Sequence, residues 1–317
     1  PMTKARDLAD YTGLQADLAG LQTNITAGDT AARAGRKNLI LNGSMQVSQR
    51  GTSQSASGYG SLDRWYINSA NTVTVTQTAT TAAETATLGG LEYYSRLVGT
   101  STDSGRQWFQ KIEGLKKFSN ETVTFSFYAK AAASTTVNVQ YGLLGAGSDT
   151  YSVFSTKEIG TSWARYTATV TLPSMSSGFT FASGDNLRIA FEPLETNYTL
   201  DITGVQLELG SGTDFEHRSY GEELQLCQRY YQDLDFVNLP LIRGNTSGAG
   251  ASQTNISFLV ETRIVPSITT ITSSDGSGGT LTATEATKNS TRLYGSVNIT
   301  AGHVRQGEIH CSLDAEL

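Results

Sequence analysis

Leu200-Asp-Ile-Thr-Gly-Val-Gln-Leu-Glu-Leu-Gly210, continuing through Phe215-Glu-His-Arg-Ser-Tyr-Gly-Glu-Glu-Leu-Gln-Leu-Cys-Gln-Arg-Tyr-Tyr231, is the stretch on which the fold turns. Leu200 and Ile202 share one side-chain parity, whereas Val205, Leu207 and Leu209 share the other. A β-bulge at Thr203-Gly204 accounts for the slip, because one extra residue moves every later side chain to the opposite face of the sheet. Ser219 and Glu222 fit the S-x-x-E capping box, and Leu224, Cys227 and Tyr231 recur at helical spacing. The stretch reads as the last strand of one β module, a short loop, and a linking helix over 220–231 that opens a second module. It is the only strand-to-helix switch expected after the N-terminal segment.

Upstream, the pattern predicts strands at 65–67, 72–78, 108–112, 123–131, 136–143, 163–172 and 186–194, separated by Gly, Ser, Asn and Asp turns. Short strands at this spacing argue for a jelly-roll-like β-sandwich. Alternation assigns Phe125, Phe127, Val137, Val139, Tyr141, Tyr166, Val170, Leu187, Ile189 and Phe191 to the core. It leaves Tyr128, Lys130, Asn138, Gln140, Arg165, Arg188 and Glu192 on outward faces. Planar amide, guanidinium and carboxylate groups beside an aromatic ring suit a sugar, whose hydroxyls need paired donors and acceptors. A solvated sheet face carries the same alternation, so both readings stay open on the pattern alone.

The segment 201–232, together with "NLILNGSMQVSQRGTS" at 38–53, "DRW" at 63–65 and the terminal "DAEL" at 314–317, resembles parts of tail fibre and receptor-binding proteins of tailed bacteriophages. In that family the first segments frame a carbohydrate-binding-module-like sandwich. The resemblance implies a non-catalytic protein that attaches a virion to the host surface through a glycan. By position, it implies that Gln110 binds ligand, with Trp108 on the same face and Tyr128 on a following strand. With Gln140 and Arg188 these form the expected ligand set. Many such modules place an acidic residue after the "NG" turn to hold structural calcium. Here Ser44-Met45-Gln46 stand in that place, which leaves Asp201 as a weak calcium candidate.

Residues 1–37 read as an N-terminal segment for virion attachment and trimerisation. Tyr11, Leu14, Leu18, Leu21 and Ile25 follow 3-4 spacing within a helix over 4–34, a short coiled-coil seam. Residues 38–219 form the sandwich and 220–317 a small all-β domain, with strands expected at 255–265, 291–299 and 308–317. The polar stretch 244–254 reads as a surface loop and an alternative contact. The resemblance and the seam together lead us to expect a homotrimer joined to a tail or baseplate protein.

The remaining composition excludes several classes. A net charge of −6 lacks the basic footprint of a nucleic-acid binder. No apolar run approaches the ~18 residues of a spanning helix. No signal-peptide pattern opens the chain, so synthesis is expected in the host cytoplasm and residence in the virion. Cys227 and Cys311 read as buried thiols. No Walker loop, G-x-S-x-G elbow or H-E-x-x-H is present, and the three histidines are scattered. We therefore expect no cofactor and no enzyme activity. A spacer without its own receptor site is the alternative, and a polysaccharide depolymerase using Glu192, Glu195 or Asp201 is a more remote one.

Overall fold

The computed structural model describes residues 37–69, 72–100, 106–145, 149–175, 179–182, 184–243, 251–274, 280–296 and 304–317. The helix expected over 4–34 and its seam from Tyr11 to Ile25 lie outside these residues, as does most of the 244–254 loop.

Among the described residues, alternating apolar residues and frequent turns produce mainly antiparallel strands. In order they are β1 (Ser53–Gln54), β2 (Tyr66–Asn68), β3 (Val73–Ala79), β4 (Tyr93–Gly99), β5 (Gln107–Glu113), β6 (Thr122–Ala131), β7 (Thr135–Leu144), β8 (Thr150–Ile159), β9 (Ala164–Thr171), β10 (Asn186–Pro193) and β11 (Tyr198–Leu209). After the helix Tyr220–Gln228 come β12 (Tyr231–Arg243), β13 (Ala251–Ser257), β14 (Ser267–Ser274), β15 (Thr280–Thr284), β16 (Ser290–Ser296) and β17 (Val304–Asp314). The first eleven strands form two sheets, ordered β1-β3-β4-β11-β6-β9 and β2-β5-β10-β7-β8. The third sheet is ordered β14-β17-β12-β13-β16-β15.

The bulge lies where the parity slip places it. The β11–β6 register shifts between Thr203 and Gln206, and Gly204 has φ 57°. Leu200, Ile202, Val205 and Leu207 consequently all reach the interior. There they meet Phe125, Phe127, Val137, Val139, Leu187, Ile189 and Phe191, as the alternation requires. Trp65 and Trp108 stack at 4.0 Å in this core, and Phe127 meets Phe191 edge-on at 4.8 Å. Such aromatic pairs are worth about 0.5–1.5 kcal/mol each beyond the area they bury.

The stretches 38–47 and 205–223 interlock. Leu39 N donates to Leu207 O and Val205 N to Gly43 O, both at 2.9 Å. The Asn38 side chain bonds Val205 O and Leu207 N. Glu223, buried in the first turn of the helix, accepts from Asn42 N and pairs with Arg218. A side chain at Gly43 would put its Cβ 2.1 Å from Val205 O, so only glycine fits.

Several expectations need correction. The linking helix stops at Gln228, and Tyr231 begins β12. Ser219 does cap it, its hydroxyl accepting from Glu222 N. A second strand-to-helix switch exists upstream: α1 (Ala82–Thr87) carries a full capping box between Thr81 and Glu84. The linking helix is therefore α2. The strand expected at 255–265 is instead β13, which ends at Ser257; Pro266 and the turns before it break the ladder and leave Leu259, Ile264 and Val265 exposed.

The third sheet is fastened to the sandwich through the terminal tetrapeptide. Arg50 pairs with Asp314 and Glu316, and Arg64, fully buried, pairs with Glu316. The two guanidinium groups lie over Tyr231 and Tyr230, at 3.7 and 3.5 Å from the ring centroids. Lys111 Nζ and Tyr59 Oη donate to Leu317 O. Glu113 adds ion pairs to Arg229 and Arg263.

Candidate functional site

The outer face of the five-stranded sheet gathers groups suited to binding. Tyr66 on β2 is in register with Phe109 on β5, and their rings stack at 4.8 Å. Tyr59 meets Tyr66 edge-on at 5.0 Å. Arg188 on β10 holds its guanidinium 4.7 Å from the Phe109 ring and 4.3 Å from that of Tyr151 on β8. Tyr151 lies across β7 at Gly142, where an added Cβ would come within 2.8 Å of its ring. Four rings and one guanidinium thus run from one edge of the sheet to the other. At ~4.8 Å per strand this line covers roughly 19 Å.

Beside it runs a polar row on the same face. Gln107 Nε2 donates to Gln140 Oε1 at 2.8 Å. Gln140 Nε2 and Asn138 Nδ2 both donate to Glu192 Oε2. Thr156 Oγ1 donates to Asn138 Oδ1. The row is held by its own hydrogen bonds, so its orientation is set before any ligand arrives. Lys111, the Cα partner of Arg188, completes the face. Burial pulls the Lys111 ammonium below its ordinary range, and the nearby Arg188 and Arg64 add to the effect.

The expected ligand residues divide among three places. Gln140 and Arg188 lie on this outer face, 8 % and 7 % exposed. Trp108 and Gln110 do share one face, but it is the inward one, and each is 1 % exposed. Trp108 stacks in the core, and Gln110 spends both ends of its amide on the main chain of Leu41. Neither can reach a ligand. Tyr128 stands on the outer face of the other sheet, packed over the bulge at Gly204. The reading of β5 missed Phe109 because both parities of "WFQKI" hold an aromatic. Only the register, which pairs Phe109 with Ala190 and so places it on the face of Arg188, decides between them.

Asp201 is no calcium ligand here. Arg96 clasps its two oxygens at 2.8 and 2.9 Å, and Lys130 lies at 3.7 Å. Two cations already neutralise the carboxylate, which opposes a third. Among the described residues, no group of three metal-ligating side chains converges. Glu195 Oε1 accepts from Thr136 N. The three carboxylates considered for depolymerase chemistry therefore occupy separate settings.

The comparisons with known proteins join this geometry. Residues 37–183 match the family model described as Carbohydrate binding domain. Carbohydrate binding by the sandwich is supported by that match, which spans just under half of the 317 residues. The fold is similar to the CBM22-1 xylan-binding domain from Paenibacillus barcinonensis Xyn10C, with 15 % identity over 51 % of this chain and 94 % of that one, and a TM-score of 0.36. It is also similar to the N-terminal cellulose-binding domain of Cellulomonas fimi β-1,4-glucanase C, with 16 % identity, 53 % and 100 % coverage, and a TM-score of 0.32. The enzymatically active domain of bacteriophage CBA120 tailspike protein 4 matches with 15 % identity over 55 % of this chain and 21 % of that one, at a TM-score of 0.37. No curated protein matches the sequence.

Proposed function

We propose that the chain is a tail fibre protein that holds a phage to its host by binding a surface glycan, without cleaving it. The observation that carries the glycan reading is the line Tyr59–Tyr66–Phe109–Arg188–Tyr151 beside a pre-oriented amide row, in a domain matched to carbohydrate binding. Tyr66 and the exposed Tyr151 can stack on the C–H faces of a sugar, with Phe109, 5 % exposed, supporting the Tyr66 ring from behind, while Gln107, Asn138 and Glu192 address its hydroxyls. The fibre reading rests on the resemblance of the sequence segments, which pack together around Asn38, Asn42, Arg218 and Glu223. The non-catalytic reading is supported by the acids themselves. Two-carboxylate hydrolysis needs a facing pair, and Glu192 stands on the face while Glu195 and Asp201 are committed elsewhere.

The proposed assembly is a homotrimer joined to the virion through residues 1–37. Exposed Leu259, Ile264 and Val265 offer apolar area for contact between copies. Light scattering of the intact chain should then give about three times 33.9 kDa, and a monomer would reject the assembly. Labelled full-length chain should adhere to host cells and block phage adsorption. Adhesion should be weakened about tenfold in Phe109→Ala and Tyr66→Ala variants that remain folded. A folded trimer that adheres to no cell and no glycan would favour the spacer.

A further inference from the structure

The buried arginines share a habit that Arg188 breaks. Arg64 has Glu316 and Lys111 O, Arg106 has Glu195 O, and Arg218 has Glu223 and two main-chain oxygens. Arg188, only 7 % exposed, has no oxygen partner among the described residues; its Nε is buried without a hydrogen bond, as in Arg64 and Arg218, but unlike theirs its terminal nitrogens have none either. Its contacts are the rings of Phe109 and Tyr151 on either side. Glu192 is turned to Gln140 and Asn138; it and Asp149 favour the Arg188 charge through space, but neither makes a salt bridge with it. Lys111, its register partner, adds a second cation. Leaving a charge out of water without a bonded anion is costly; Lys111 Nζ already donates to Leu317 O, so Arg188 is the group arranged for a charge brought from outside.

We propose that the ligand is an acidic saccharide whose sugar carboxylate docks on Arg188, with Lys111 adding long-range attraction. The inference rests on the reading of this face as the saccharide site. With an aromatic ring on each side of the guanidinium, the approach is to its edge. That edge presents paired N–H donors matched to the two oxygens of a planar carboxylate. Tyr151, 48 % exposed, then stacks on the sugar carrying the acid. The whole chain carries −6, which opposes polyanions in general and makes the cation pair a local feature.

The test uses the full chain on an array of bacterial polysaccharides, neutral and uronic-acid-bearing. It adds titration with polygalacturonate, the same polymer after carboxyl reduction, and dextran sulfate. We expect acidic polymers to dominate the array and polygalacturonate to bind at least tenfold more tightly than its reduced form. Arg188→Gln should erase that difference, and added salt should weaken the acidic ligand selectively. Should the variant fail to fold, the native and reduced polymers decide the matter with unaltered protein. Neutral hits only, or equal affinity for both forms, would overturn the carboxylate and leave the saccharide site standing. Equal binding to dextran sulfate would overturn it in favour of general polyanion attraction. Silence across the array would overturn both readings.

Discussion

Replacing Glu316 by Gln isolates what burial does to an ion pair. Glu316 pairs with Arg64, and the two side chains are 5 % and 1 % exposed. The variant strands the Arg64 charge with only Lys111 O at 2.7 Å and the Tyr230 ring at 3.5 Å. Removing one partner of a buried pair costs about 3–5 kcal/mol. The lower end applies, because Arg50 keeps Asp314 and the new amide still offers an oxygen. About 3 kcal/mol corresponds to a fall in Tm of roughly 4–5 °C for a chain of 317 residues, at about 2.1 cal/mol/K of unfolding entropy per residue. Glu285→Gln is the matched control. It removes a 2.7 Å pair with Arg292, but one whose side chains are 66 % and 37 % exposed, worth about 0–1 kcal/mol. Scanning calorimetry of the full chain compares the two. A shift below about 2 °C in Glu316→Gln, no larger than the control, would refute the idea that the tail clamp holds the third sheet to the sandwich.

Four further outcomes are expected. Gly43→Ala should lower the urea midpoint by the equivalent of about 3 kcal/mol, because its Cβ would meet Val205 O; an unchanged midpoint would show that the two interlocked stretches can separate freely. Phe109→Ala should weaken glycan binding about tenfold, or ~1.4 kcal/mol, while Tyr128→Ala on the opposite sheet leaves it within about twofold, and equal losses in titration would place the site elsewhere. Burial pushes the Asp63 carboxyl up to about 6 from its ordinary 3.8. The folded chain therefore keeps a proton that the unfolded chain releases, and stability falls as pH rises from about 4 to about 6, by about 3 kcal/mol for this group; Asp63→Asn should flatten that part of the denaturation profile, and an unaltered profile would count against it. Cys227 and Cys311 are buried, with burial raising both thiols, Cys311 to about 11, so a thiol reagent at pH 8 should label neither until denaturant is added.

What the sequence disclosed follows from period-two alternation. The parities of β6, β7 and β10, and the slip in β11, were legible because each strand has one apolar face and one polar face. β4 and β8 escaped notice for the opposite reason. "YYSRLVG" puts an aromatic and an aliphatic residue on each face, and Phe154 is only half-buried among the polar residues of β8. At the site, alternation could place Gln140 and Arg188 outward, but it could not choose between Trp108 and Phe109. That choice is made by the Trp65 ring, 43 positions earlier, which stacks on Trp108 inside. The Arg96–Asp201 pair joins residues 105 apart in sequence, a separation that no local pattern spans. The carbohydrate-module fold was accessible through motifs, whereas the working surface required register.

The tail clamp has a mechanical consequence. The chain enters the third sheet through α2 and returns to the sandwich at Asp314–Leu317, so that sheet is tethered at both ends of its own sequence. A single linker would act as a swivel. Two separated anchors, one of them ending on Lys111 and Tyr59 at the margin of the candidate face, remove the free rotation. Torque applied to the C-terminal sheet turns the sandwich with it, and the outer face of the five-stranded sheet keeps a constant bearing on whatever that sheet is attached to.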